Sequence, residues 1–197
     1  MDRIRELIDN IKDYGILNKV PIMSEDTIET INNIINENNI HSILEIGTAI
    51  GYSTICFASN NNTNRIISIE RDDERYSTAV ENVKLSGLSN IELIHDDALN
   101  VEINDMFDLI IIDAAKSQNI KFLNKYKNNL NNNGIIIIDN LDFHGYVGKS
   151  SEIKSRNLRQ MVKKIEKFID YLDNNDEFEV EYIKVGDTLG VCKRKNL

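Results

Sequence analysis

Apolar residues spaced three and four positions apart, Ile4, Ile8 and Ile11, predict that the chain opens with an amphipathic helix. Ser24 then offers an N-cap, Glu25 and Asp26 put acid in a first turn, and Ile28, Ile31, Ile34 and Ile35 form the stripe of a second helix. After residue 41 the period changes. Short β-branched runs alternate with helix-length segments: strands at 42–46, 65–70, 91–94, 107–113 and 134–139, and helices at 52–59, 72–86 and about 118–129. The runs Leu109-Ile110-Ile111-Ile112 and Ile135-Ile136-Ile137-Ile138 are apolar at every position, as central parallel strands covered on both faces must be. This order predicts a doubly wound α/β sheet. In the tail, a helix at about 152–174 precedes strands at 178–184 and 188–193. The turn Val185-Gly186-Asp187 is too short for a parallel crossover, so the last pair is an antiparallel hairpin and the seven-stranded sheet is mostly parallel.

A chain of 197 residues can bury a sizeable core, and 41% hydrophobic against 28% charged residues is a globular balance. We expect one domain over 1–197, with a helical cap at 1–40 and an α/β core at 41–197. Apolar runs are far shorter than a membrane span and the first residues lack a basic-then-apolar leader order, so a cytoplasmic location without a membrane partner is expected. Cys56 and Cys192, in an apolar helix and a strand, are expected to be buried, inert thiols. The stretches Asn60-Asn61-Asn62 and Asn131-Asn132-Asn133 read as loop filler. A net charge of −9 argues against a general nucleic-acid coat but leaves room for a local basic face.

In an open α/β sheet, ligands sit beyond the carboxyl ends of the strands. The first strand runs into Glu45-Ile46-Gly47-Thr48-Ala49-Ile50-Gly51, where glycines allow a tight turn and close backbone approach to a ligand. The spacing G-x-x-x-G differs from the dinucleotide pattern G-x-G-x-x-G. A carboxylate just before the turn suits a cationic amino-acid group such as that of S-adenosylmethionine. Glu70, 23 positions after Gly47, can accept from ribose hydroxyls, and His95-Asp96-Asp97-Ala98 can edge an adenine. A solvent-facing strand end is the plain alternative for Glu70, and an NAD-linked or non-catalytic nucleotide-binding protein is the alternative for the set.

Further along, the strands deliver Asp113, and Asp139 with Asn140 beside it. Two carboxylates and an amide oxygen suit Mg²⁺, or another divalent cation such as Mn²⁺, better than Zn²⁺. Lys116 could take a proton from a hydroxyl whose pKa such a cation lowers. Ordinary turn and cap chemistry at Asp113, Asp139 and Asn140, and a solvated helix-start lysine at Lys116, remain the structural alternatives.

The run Ile43-Leu44-Glu45-Ile46-Gly47-Thr48-Ala49-Ile50-Gly51-Tyr52-Ser53, with Asp113-Ala114-Ala115-Lys116, Asp139-Asn140 and Gly186-Asp187-Thr188-Leu189-Gly190, resembles the cation-dependent O-methyltransferases of the catechol and caffeoyl-CoA type. The resemblance spans nearly the whole chain. It implies the class I S-adenosylmethionine methyltransferase fold, a Rossmann-like sheet. It also implies cofactor contacts from Met23, Glu45, Gly47, Ser53, Glu70, Asp97, Ala98 and Asp113. Metal ligation by Asp113, Asp139 and Asn140 is implied as well, with Lys116 and Asp113 at the chemical step and a homodimer as the assembly. Within the family, Val20-Pro21-Ile22-Met23, Phe143-His144-Gly145-Tyr146-Val147 and the stretch from Arg156 to Phe168 resemble the bacterial enzymes that convert 5-hydroxyuridine at the tRNA wobble position to 5-methoxyuridine. Asp142 departs from the usual aliphatic residue two after Asn140, and the acceptor-stacking aromatics of the plant and animal enzymes have no clear counterpart.

Residues 149–167 hold seven basic and two acidic residues, a local +5. A solvated amphipathic helix explains this, and so does a face that tracks phosphates of a tRNA anticodon loop. His144, Tyr146 and Arg156 would then line the acceptor mouth. A small catechol-like or phenolic acceptor is the alternative that keeps the chemistry.

Overall fold

The computed structural model describes residues 2–195. Two helices, α1 (Asp2–Leu17) and α2 (Glu25–Glu37), precede the sheet, and Ser24 caps α2 by accepting from the Thr27 N–H. The sheet strands are β1 (Ser42–Ile46), β2 (Arg65–Glu70), β3 (Ile91–His95), β4 (Phe107–Ile112), β5 (Leu130–Ile138), β6 (Phe178–Ile183) and β7 (Leu189–Arg194). Between them lie α3 (Tyr52–Ala58), α4 (Asp73–Ser86), α5 (Asn119–Tyr126) and α6 (Arg156–Asp173). The strand order is β3-β2-β1-β4-β5-β7-β6, with parallel pairing up to β5 and antiparallel pairing for β5-β7 and β7-β6. This is the doubly wound sheet with a terminal hairpin that the sequence predicts.

The all-apolar strands are explained by their alternation. Leu109 and Ile111 of β4, with Ile135 and Ile137 of β5, face a layer that includes Ile11, Ile31, Ile35 and Ile55 of α1 to α3. Ile110 and Ile112, with Ile136 and Ile138, face Phe122, Leu123, Ile165, Phe168 and Leu172 of α5 and α6. Each residue therefore has an apolar partner whichever way it points. Cys56 and Cys192 are buried in these two layers, and burial pushes both thiols up to about 12. Among the described residues no helix is long and apolar enough to cross a membrane.

Three elements differ from expectation. Asn131, Asn132 and Asn133 belong to β5 rather than to a loop: the register against β4 jumps from Phe107↔Leu130 to Leu109↔Ile135, so the asparagines occupy a bulge. Asn131 Nδ2 donates to Asp108 Oδ1 at 2.7 Å, which gives that bulge a polar anchor. The helix expected at 118–129 is shortened to α5 between two 3-10 turns. The last helix starts at Arg156 instead of 152, because Ser155 caps it and the Arg159 guanidinium holds the Ile153 carbonyl in an extended entry segment.

Candidate active site

The strand order reverses at β1, which has β2 on one side and β4 on the other, so a crevice opens beyond the carboxyl ends of these strands. A cavity of about 710 Å³ occupies it. The backbone remains in the ladder as it enters the site: the N–H groups of Gly47, Asp113 and Asp139 donate to Ile69, Ile46 and Ile112 carbonyls at 3.0, 2.9 and 3.1 Å. Gly47 has φ +109°, and a Cβ on it would stand 2.1 Å from the Asp113 carbonyl oxygen. Only glycine lets the first turn lie this close to the end of β4.

Of the expected cofactor residues, Met23, Gly47, Ser53, Glu70, Asp97, Ala98 and Asp113 line the cavity. Glu70 is fixed by three backbone N–H donors, from Ala49 at 2.8 Å and from Arg71 and Asp72 at 2.9 Å each. A carboxylate has about four acceptor sites, so a further donor can still be received. The Asp97-Ala98 turn is pinned from below by Tyr126 Oη on the Ala98 carbonyl at 2.5 Å.

Glu45 differs from expectation. It is fully buried and does not line the cavity. Parallel register places Ser68 of β2 beside it, and Ser68 Oγ donates to Glu45 Oε2 at 2.6 Å together with Thr54 Oγ1. Ser53 Oγ donates to Glu45 Oε1 at 2.6 Å and itself reaches the cavity wall. Burial raises the Glu45 carboxyl above its ordinary value, opposed by these three hydroxyls. Glu45 reaches the cavity wall through Ser53, and also through Ser68 and Thr48, whose hydroxyl oxygens lie 2.6 Å apart.

At the chemical end, Asp113, Lys116, Asp139 and Asn140 all line the same cavity. Lys116 Nζ lies 2.5 Å from Asp113 Oδ1, both side chains being mostly buried. Asp139 is 3% exposed, and burial first, then the charge of Asp113, push its carboxyl up to about 7. Two acids and an asparagine at this end of the cavity are the donor types that a hard divalent cation takes, and such a cation would relieve the repulsion between the acids. Among the described residues there is no cluster of three His, Cys, Asp or Glu side chains able to hold a metal.

Of the expected acceptor residues, His144 lines the cavity, whereas Tyr146 and Arg156 stand outside its wall as exposed side chains. Arg71, Arg75, Phe143 and Asp187 line it in addition to the residues expected there. Asp187 is visible in the Gly186-Asp187-Thr188-Leu189-Gly190 motif; the two arginines closely follow Glu70 but carry no distinguishing sequence signal.

A profile of the family described as O-methyltransferase matches residues 4–195. A candidate caffeoyl-CoA O-methyltransferase of Arabidopsis thaliana is 29% identical over 193 residues, covering 93% of this chain and 82% of that protein. The crystal structure of a candidate caffeoyl-CoA O-methyltransferase from Staphylococcus aureus is 34% identical, with a TM-score of 0.90 over 95% of this chain and 92% of that one. An O-methyltransferase from Bacillus cereus in complex with SAH shares the fold at 21% identity, with a TM-score of 0.81 over 96% of this chain and 91% of that one.

Proposed function

This chain belongs to the O-methyltransferase family, and we propose that it moves the methyl group of S-adenosylmethionine onto the hydroxyl of 5-hydroxyuridine at the wobble position of tRNA. One observation carries the choice of acceptor. Lys149, Lys154, Arg156, Lys163, Lys164 and Lys167 are exposed, and among the described residues none has an acidic partner within ion-pair distance. Of the two acids in this stretch, Glu166 accepts the Gly148 N–H at 3.0 Å, and Glu152 is exposed and outside ion-pair distance of these cations. Exposed cations without acidic partners, spread over 149–167, suit a chain of phosphates.

In this reading Gly47 allows close backbone approach to the cofactor, Ser53 carries the charge of Glu45 toward its ammonium, Glu70 receives ribose hydroxyls, and Asp97-Ala98 borders the adenine. Met23 closes the cavity from the α1–α2 link. Asp113, Asp139 and Asn140 would hold Mg²⁺ or a similar cation, which when bound would lower the pKa of the acceptor hydroxyl. Lys116 Nζ, as the neutral amine, accepts the hydroxyl proton and becomes the ammonium that pairs with Asp113. The acceptor oxygen forms its bond to the methyl carbon as the carbon–sulfur bond breaks. His144 borders the acceptor base, while Tyr146 and Arg156, outside the cavity, meet the nucleic acid around it. A homodimer joined through α1, where Ile16 and Leu17 are exposed, belongs to the same reading.

A small phenolic acceptor is the second reading, favoured by the caffeoyl-CoA names of the relatives. The deciding experiment is nucleoside mass spectrometry after incubating the protein with S-adenosylmethionine, Mg²⁺ and tRNA bearing 5-hydroxyuridine, beside a simple catechol, each with and without EDTA. EDTA-sensitive 5-methoxyuridine supports the proposal; methylation of the catechol alone replaces it with the second reading.

A further inference from the structure

The β6–β7 turn carries a carboxylate that none of the steps above uses. Asp187 lies in the cavity wall, its side chain 21% exposed. Its Oδ1 accepts the backbone N–H of His144 at 3.1 Å, and its Oδ2 stands 2.8 Å from His144 Nδ1. Its main-chain carbonyl accepts the N–H of Asp142 at 2.8 Å, and the next carbonyl, of Thr188, accepts the N–H of Leu141 at 3.0 Å. One turn thus holds three N–H groups of the segment that follows Asp139.

That segment is held in a costly shape. Asn140, Phe143 and His144 have φ of 62°, 47° and 59°, the left-handed region, which Asn and His enter more readily than most residues but a bulky Phe avoids. All three line the cavity. A left-handed Phe followed by a left-handed His persists only where its surroundings enforce it. On its other side the turn abuts α2: a Cβ on Gly186 would stand 2.5 Å from Thr27 Oγ1. The turn is therefore braced from behind while it grips the loop in front.

We propose that Asp187 is a positioning residue for the acceptor, fixing where Phe143 and His144 stand and so which hydroxyl is received productively. The inference rests on the O-methyl transfer reading. Of the expected cofactor residues, Gly47, Ser53, Glu70, Asp97 and Ala98 end or follow β1, β2 and β3 and lie outside the 141–144 segment that the turn holds.

The test compares Asp187→Ala and Asp187→Asn in the full chain with Mg²⁺, using a simple catechol and tRNA bearing 5-hydroxyuridine as acceptors. In Asp187→Ala, kcat/KM for the acceptor should fall about tenfold or more, while the Kd for S-adenosylhomocysteine by calorimetry stays within about twofold. Asp187→Asn keeps an oxygen for the His144 N–H and should return to within about threefold of the parent. Hydrogen exchange should quicken in Asp187→Ala for residues 141–147 and remain unchanged in β4. Unaltered acceptor kinetics would overturn the proposal, as would an equal loss of S-adenosylhomocysteine affinity, which general loosening would cause. If the parent chain methylates neither acceptor, the transfer reading itself fails. Exchange then judges the grip alone, and unchanged exchange at 141–147 removes it.

Discussion

Replacing Gly47 by alanine tests the close approach on which the site is built. The added Cβ would lie 2.1 Å from the Asp113 carbonyl oxygen and 2.8 Å from its carbonyl carbon, where real Cβ atoms keep at least 3.0 Å. The ends of β1 and β4 must therefore part by about 1 Å, and overpacking of that kind costs about 1–3 kcal/mol. A side chain at φ +109° adds backbone strain of about 1–3 kcal/mol. Together these make roughly 2–6 kcal/mol, a large share of the stability of an ordinary domain. Gly87, the C-cap of α4, supplies the comparison. It has φ +68°, but a methyl group added there would meet nothing within 4 Å, so alanine incurs only the left-handed penalty of about 1–2 kcal/mol. Urea unfolding followed by circular dichroism should show Gly47→Ala losing at least about 1 kcal/mol more than Gly87→Ala. Calorimetry should show S-adenosylhomocysteine binding lost in the first and kept in the second. Equal destabilisation of the two variants would refute the reasoning.

Three further outcomes follow from the same structure. Because Asp139 is pushed up to about 7, the folded chain keeps a proton that the unfolded chain has released from about pH 4 upward. In EDTA, stability should therefore fall as pH rises through that window, by at most about 4 kcal/mol, and Asp139→Asn should flatten the dependence of the urea midpoint on pH. Asp108 has the opposite sign: burial opposes its charge, but the Asn131 amide and the His41 and Ser42 donors outweigh it and hold the carboxyl below its usual range. Its contribution is present at neutral pH and lost as pH falls through the folded value, so Asn131→Ala should cost about 1–2 kcal/mol at pH 7 and progressively less on acidification, read by thermal denaturation. Changing Lys163, Lys164 and Lys167 together to alanine should weaken tRNA binding and lower the slope of log affinity against log salt by about 2; an unchanged slope in filter binding would remove that face from the interface.

The strands are legible in the sequence because burial on both faces leaves a mark at every position, as in Leu109 to Ile112. Ser24 and the Gly47–Gly51 turn are legible because caps and left-handed turns admit few residue types. Asn131 is not: its place in β5 depends on Asp108, a partner 23 residues away, and polar composition alone reads as loop. The inward turn of Glu45 is hidden for the same reason, since its hydroxyl partner Ser68 becomes a neighbour only through strand register. The start of α6 escapes the hydrophobic pattern because Arg159 holds Ile153 extended by a side-chain contact that leaves no periodicity. Local chemistry writes the strand ends into the sequence, whereas the wall that Asn140, Phe143 and His144 form with the β6–β7 turn is a matter of long-range packing.

Asp113 and Asp139 enter the site on backbone that is still bonded to the neighbouring strand, through the Ile46 and Ile112 carbonyls. The two acids are thus carried by the framework, while the segment after Asn140 hangs from it by contacts that can be remade. If the proposed roles hold, mutation in that segment can try new acceptors without dismantling the two acids, so descendants of one such scaffold would diverge in what they methylate long before they diverge in how.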